Sequence, residues 1–336
     1  MKSEKKTPSE AGALAAPLSL VQQLAWNDLP HRSAILYRLF KSDWSEEDKA
    51  TIATALLNLL RQPELPDRAA LVLLLAELAR DRCDRSALSS AEGTASAQES
   101  LRRALLQGLP LYLELVEAPE PQLRLHSLYL SSWLPEGCKQ LLPLLLRRLE
   151  EEEEPRARAG LAFALAQLAG DQPSVRTRLP ALLKAHEAPI VRLGAASALT
   201  RLLRAEAPQR AVRLLVRAIA SPQAIASDYD ALPWARNSVV ADSSDLLRLL
   251  PRRRLQFSLP VLLEALATAN YYEALSLART LLYVGFSRQP PDSSLQATTP
   301  TQQAILTALR LNLSAWQASE LLGASASETG ARLSAS

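Results

Sequence analysis

Three histidines, two cysteines and two groups of carboxylates are the residues of this 336-residue chain best suited to chemistry. His31, His126 and His186 stand far apart, with no second His or Cys near any of them. Zinc sites need ligands at short, paired spacings, and these positions offer none. Cys83 and Cys138 form no CxxC pair and make no disulfide framework. The sequence also lacks HExxH, GxSxG and a glycine-rich phosphate loop. It is therefore read as non-enzymatic, with no catalytic residue, no cofactor and no metal.

The first acidic group, Glu150 to Glu154, directly precedes Pro155 and reads as a charged turn before a helix N-terminus, where negative charge is stabilising. The second comprises Asp228, Asp230, Asp242 and Asp245 around Tyr229, Trp234 and Arg236; it reads as a structural or binding loop. Two arginine groups, Arg201/Arg204/Arg210/Arg213/Arg217 and Arg248/Arg252/Arg253/Arg254, would make a phosphate-tracking ridge if stacking brought them together. Net charge is only +3, less than a non-specific nucleic-acid binder normally carries.

The elements that must position these residues are aliphatic helices. About 70 residues are Leu, aromatics supply 5% and glycines number 10, which argues against a glycine-dependent β-architecture. Leu and Ala recur at three- and four-residue spacing, and no alternating β-branched run is present. No window of 18 apolar residues occurs. Residues 1–16 read as a disordered polar tail rather than a signal peptide, since Glu4, Pro8 and Glu10 interrupt any apolar stretch. A cytoplasmic chain is expected.

Self-comparison reveals repeats. Pro121, Pro155 and Pro189 are each 34 residues apart, and each is followed three residues later by Arg124, Arg158 or Arg192. The segments PQLRLHSLYLSSWL, PRARAGLAFALAQL and PIVRLGAASALTRL align without a gap. Proline suits a helix's first turn, where its missing N–H would have gone unpaired. A second element precedes each one: LPLYLELVE, LPLLLRRLE and LPALLKAHE, with LPVLLEALA later in the chain.

This pairing resembles the HEAT repeat family, most closely in LPALLKAHEAPIVRLGAASALTRLL from Leu179 to Leu203. The resemblance implies an all-α fold, an α-solenoid superhelix of about seven HEAT-like hairpins with the second helices lining a concave face. The family's turn Asp, which would bind the arginine of a neighbouring repeat, is replaced here by Ala118, Glu152 and His186; Glu117, Glu152 and Glu187 are the substitutes at hand. The Trp, Gly and Tyr pattern of the tetratricopeptide family is missing. Hairpins are expected at about 17–41, 48–82, 99–135, 138–170, 173–205, 208–252 and 255–286. Loop insertions fall near 83–98 and 221–234, a linker at 287–300, capping helices at 301–323 and a second disordered tail at 324–336.

Within the aligned second helices, columns that change character are expected to face solvent or a ligand. They form one stripe: Gln122/Arg156/Ile190, His126/Gly160/Gly194, Tyr129/Phe163/Ser197 and Trp133/Gln167/Arg201. The partner-binding candidates are His126, Tyr129, Trp133, Phe163, Gln167, Ser197 and Arg201. The leading expectation is a scaffold holding a protein partner on the concave face. Two alternatives follow from the resemblance: a nucleic-acid binder similar to HEAT-like DNA glycosylases, with Trp234 and Asp230 or Asp242 as the comparable residues, and a chain similar to bilin lyases.

Overall fold

The computed structural model describes residues 17–24, 29–86, 95–169, 172–286 and 299–312. Both expected tails, nearly all of the linker and the cap beyond residue 312 lie outside them. Among the described residues every regular element is helical. The chain divides into two compact units, Met1–Gly137 and Cys138–Ser336.

The first unit holds α1 (Pro17–Leu24), α2 (Leu29–Lys41), α3 (Glu46–Leu60), α4 (Arg68–Ser86), α5 (Ala95–Gln107), α6 (Leu109–Val116) and α7 (Pro121–Ser132). Of the expected 83–98 insertion, 83–86 belong to α4 and 95–98 to α5, and 87–94 lie outside the described residues. Helix α3 starts on Ser45, whose hydroxyl accepts from Asp48 N at 3.1 Å, and Glu46, Glu47 and Asp48 fill its first turn. First helices stack on first helices, α3 against α1 and α5, while α4 packs on α7. Buried Arg32 secures the start of the stack by donating to Leu24 O and to Pro66 O, the latter at 2.7 Å. The first helix of the third hairpin is broken at Gly108, where a Cβ would strike the Tyr112 ring and Leu57.

The second unit holds α8 (Cys138–Glu151), α9 (Pro155–Ala169), α10 (Pro173–Arg178), α11 (Pro189–Leu203), α12 (Gln209–Ala220), α13 (Ala226–Asp230), α14 (Val239–Leu247), α15 (Leu259–Thr268) and α16 (Tyr271–Gly285). A final helix, α17, runs over 300–312 and seats buried Ile305 against Gly285. Second helices pack in succession, α9 on α11, α11 on α14 and α14 on α16. Within each unit, second helices thus stack on second helices while most also pack on the first helix of their own hairpin, as in an all-α solenoid.

Helices α7, α9 and α11 begin on Pro121, Pro155 and Pro189. The Leu-Pro element is less uniform. Pro110 and Pro260 start helices, Pro143 lies inside α8, and Leu179–Leu183 is a 3₁₀ turn. Pro180 has no N–H to continue the α10 ladder, so the chain tightens there instead.

The seams are mostly Leu and Ala. Gly194 sits so near α9 that a Cβ would lie 3.1 Å from both the Cβ and the carbonyl oxygen of Ala159. That glycine is explained by close helix packing. Between α14 and α16 the seam carries buried hydroxyls: Ser244 donates to Thr280 Oγ1 at 2.9 Å, and Thr280 donates to Ser244 O at 3.0 Å.

The arginine three residues into α7 and into α9 closes the preceding turn. Arg124 donates to the carbonyls of Ala118 and Pro119 at 2.9 and 2.8 Å. Arg158 donates to Leu149 O and Glu152 O at 2.8 and 2.9 Å, and forks across both oxygens of Glu187 at 3.2 and 3.0 Å. Glu187 therefore takes the part of the missing turn Asp between these two hairpins. Glu152 is buried and binds Arg148 at 2.7 Å within its own hairpin.

Candidate functional site

The stripe separates into a buried middle and exposed ends. In the first unit, His126 and Tyr129 on α7 face α4 and are buried, 8% and 2% exposed. His126 Nδ1 lies 2.6 Å from Ala69 O and its Nε2 lies 2.7 Å from Gln122 Nε2. A carbonyl only accepts, so Nδ1 carries the proton and Nε2 receives the Gln122 amide. Burial lowers the His126 pKa, against the opposing pull of the Ala69 bond and of Glu120, and favours this neutral form. Tyr129 donates to Glu77 Oε1 at 3.2 Å, and burial, with Glu77 beside it, pushes its pKa up to about 12. Trp133 is half-buried, packs edge-on to Tyr129 at 6.0 Å, and its carbonyl accepts from Arg82 Nη2 at 3.4 Å.

In the second unit, Phe163 on α9 and Ser197 on α11 are buried, while Gln167 and Arg201 near the ends of these helices are exposed. Ile190 is buried, and Gly160 and Gly194 are buried as well. Column variability therefore does not mark exposure along the whole stripe. At the middle positions it records different neighbours.

The neighbour of Phe163 is the insertion after α12. Trp234 stacks on the Phe163 ring, with centroids 5.6 Å apart and planes 18° from parallel. Asp228 binds Arg156 of α9 through Nη2 at 2.9 Å. The insertion thus folds back over the second-helix face, and nothing in local periodicity signals a contact between residues 71 positions apart. Asp228, Asp242 and Asp245 are engaged, while Asp230 is exposed. Asp242 accepts from Tyr229 OH at 2.7 Å, from the amides of Arg236 and Asn237 at 3.1 and 3.3 Å, and from Asn237 Nδ2 at 3.3 Å. Burial, then Asp242, raises the Tyr229 pKa. The Asp242 bonds hold the loop against the start of α14.

The acidic run before α9 is likewise structural. Glu154 accepts from Ala157 N at 2.6 Å, capping the helix; Glu150 binds Arg178 at 2.6 Å. Of the second arginine group, Arg248 pairs with Asp245 at 2.8 Å and Arg252 lies 4.9 Å over the Tyr283 ring. Arg254 donates to Ala205 O and Ala207 O at 2.5 Å, so stacking does bring it to the start of the first group. Arg201, Arg210, Arg213 and Arg217 are exposed. An open groove of about 430 Å³ between α1, α3 and α5 is lined by small and polar side chains such as Thr51, Thr54 and Asn58.

Among the described residues, no group of three or more His, Cys, Asp or Glu side chains is placed to hold a metal ion. No described helix is long and apolar enough to cross a membrane.

Fold and site together define an all-α repeat solenoid with a partly covered second-helix face. No family model matches the chain, and no curated protein matches it. Solved structures do. An engineered protein is similar over 80% of this chain and 96% of its own, at 15% identity and a TM-score of 0.41. The structure of Kap121p bound to Pho4p is similar over 88% of this chain at 14% identity and a TM-score of 0.39, and this chain spans 38% of that one. A second engineered protein is similar over 87% of this chain and 82% of its own, at 16% identity and a TM-score of 0.35.

Proposed function

We propose that the chain is a non-enzymatic interaction scaffold with HEAT-like repeats that binds a protein partner on its second-helix face. The observation that carries this reading is the exposed pair Gln167 and Arg201 at matching positions of α9 and α11. Around Arg201, crowding by protein lowers the guanidinium pKa, while Tyr229 and Asp242 oppose that effect and Arg236 adds to it. An arginine remains charged regardless. With no carboxylate bound to it among the described residues, it offers a forked donor to an incoming segment. Of the seven stripe residues, Gln167 and Arg201 would make direct contact; His126, Tyr129, Phe163 and Ser197 would support the face from beneath, and Trp133 would border it. Cys83 and Cys138, neither of them in a disulfide, fit a reducing, cytoplasmic setting.

The test is recovery of partners from an extract of the source cells, using the full chain and a Gln167→Ala/Arg201→Ala variant. Both side chains are exposed, so helicity by circular dichroism should be unchanged. Recovery should fall by about fivefold or more. Equal recovery by the variant rejects this face. A nucleic-acid partner is the second reading, favoured by the exposed Arg210, Arg213 and Arg217 of α12; nuclease treatment of the extract separates the two.

A further inference from the structure

The arginine that opens each aligned second helix has two known employments in this chain and lacks both at its third occurrence. Arg124 closes a turn through carbonyls, and Arg158 does so while binding Glu187 of the following hairpin. Arg192 occupies the same position in α11. Its Nε is buried with no hydrogen-bond partner, and no other guanidinium nitrogen of Arg192 is bonded among the described residues. Other arginines with a similarly buried Nε are anchored through their remaining nitrogens: Arg68 to Leu60 O, Arg148 to Glu152, Arg248 to Asp245.

Beside Arg192 lies a pocket of about 160 Å³. Its walls include Leu193, Leu214 and Ile225, with Arg217 and Ser221 completing the polar lining. No carboxylate lines it. Arg217, like Arg192, has no ion pair among the described residues. The segment passing Arg192 contributes Ser221, Ala224 and Ile225, whereas the turn passing Arg158 contributes Glu187. Arg192, half-buried, and Arg217, exposed, therefore border one partly apolar recess with no counter-charge in its lining.

We propose that this pocket is a carboxylate-binding site, filled by an acidic side chain of a peptide or by a small organic acid of similar size. Because Nε of Arg192 is buried, Arg192 takes the carboxylate through its terminal nitrogens rather than by the Nε–Nη2 fork of Arg158; Arg217 adds charge from α12, and the short aliphatic stem lies against Leu193, Leu214 and Ile225. The volume, roughly five times the share of one water in the liquid, suits a glutamate-sized group and is too small for a nucleotide. The site does not depend on the stripe for its function.

Isothermal titration of the full chain with glutarate and with an N-acetylated, amidated triglutamate peptide tests it. Glutaramide and inorganic phosphate serve as comparison probes. Saturable binding of a carboxylate is expected, weakening with added salt, and Arg192→Gln or Arg217→Gln should each reduce affinity on the order of tenfold. Arg217 is exposed, so its variant remains informative if Arg192→Gln unfolds the protein. Ser221→Glu should bring a carboxylate of the chain's own to the site and abolish binding of either acid. Tighter binding of the peptide than of glutarate assigns the site to an acidic segment, and equal binding assigns it to a small acid; both support the proposal. It is overturned if neither acid saturates, if glutaramide or phosphate binds as well as glutarate, or if the arginine variants bind unchanged. Those results would leave the scaffold reading intact, because that reading is tested at Gln167 and Arg201.

Discussion

Tyr129 of the first unit and Phe163 of the second stand in the same column of the repeat, yet they are buried by different means. Tyr129 is covered by α4, the second helix of the preceding hairpin, and it fixes itself there through Glu77. Phe163 is covered by Trp234, carried on an insertion that reaches it from well down the chain. One is sealed by repeat stacking and the other by an addition to the repeat. A covering that belongs to the stack cannot leave without breaking the core, whereas an inserted loop is held by a few contacts of its own.

Tyr129→Ala provides the largest expected effect. Loss of the buried ring, and of the Glu77 bond with it, should cost about 3–5 kcal/mol in urea denaturation followed by circular dichroism. A cost below 1 kcal/mol would show that α4 and α7 are not the sealed pair described. The Phe163–Trp234 stack is expected to yield a coupling of about 1 kcal/mol in a double-mutant cycle of Phe163→Ala and Trp234→Ala, again by urea denaturation. Hydrogen exchange in α13 should quicken in Trp234→Ala while exchange in α11 stays slow. Strictly additive variants would mean that the two rings merely lie near each other.

The smallest effect concerns pH. His126 is held neutral, with its pKa lowered by burial below the ordinary 6.5. Above pH 6.5 the imidazole is neutral both folded and unfolded, and it contributes no pH dependence. As pH falls below 6.5 the unfolded chain takes up the proton first, so stability declines until the folded-state pKa is reached. A His126→Gln variant should lose less stability than the parent between pH 7 and pH 5, as read by urea denaturation at each pH. Parallel curves for the two proteins would contradict the buried, neutral assignment.

Much of this architecture is visible in the residues alone. The prolines at 121, 155 and 189 mark helix starts because φ is already suited to a first turn and no donor is lost. Glu187 was one of three candidates to replace the turn Asp, and it does bind Arg158. The Leu-Pro elements were harder to assign, since the same dipeptide begins α6 and α15, lies inside α8 and forms a 3₁₀ turn after α10. Which of these results depends on what precedes the proline. The stripe was legible as a set of positions but not as a set of environments. Variation from Tyr129 to Phe163 to Ser197 reflects changing neighbours, and those neighbours are set by packing over 50 residues or more. The unpaired state of Arg192 had no sequence signal: the insertion after α12 carries Asp228 and Asp230, and packing sends Asp228 to Arg156 instead.

The hydroxyls between α14 and α16 have a consequence of their own. A surface of Leu and Ala strongly resists being pulled apart but barely distinguishes one offset from the next, so two such rods could slip past each other by a turn at small cost. The bonds Ser244 makes to Thr280 and to Ser276 O, and that of Thr280 to Ser244 O, close at a single offset and would be lost at any other, where Thr280 would keep only Ser276 O of its own helix. They act as a detent, giving the far end of the second unit one length where oily contacts alone would tolerate several.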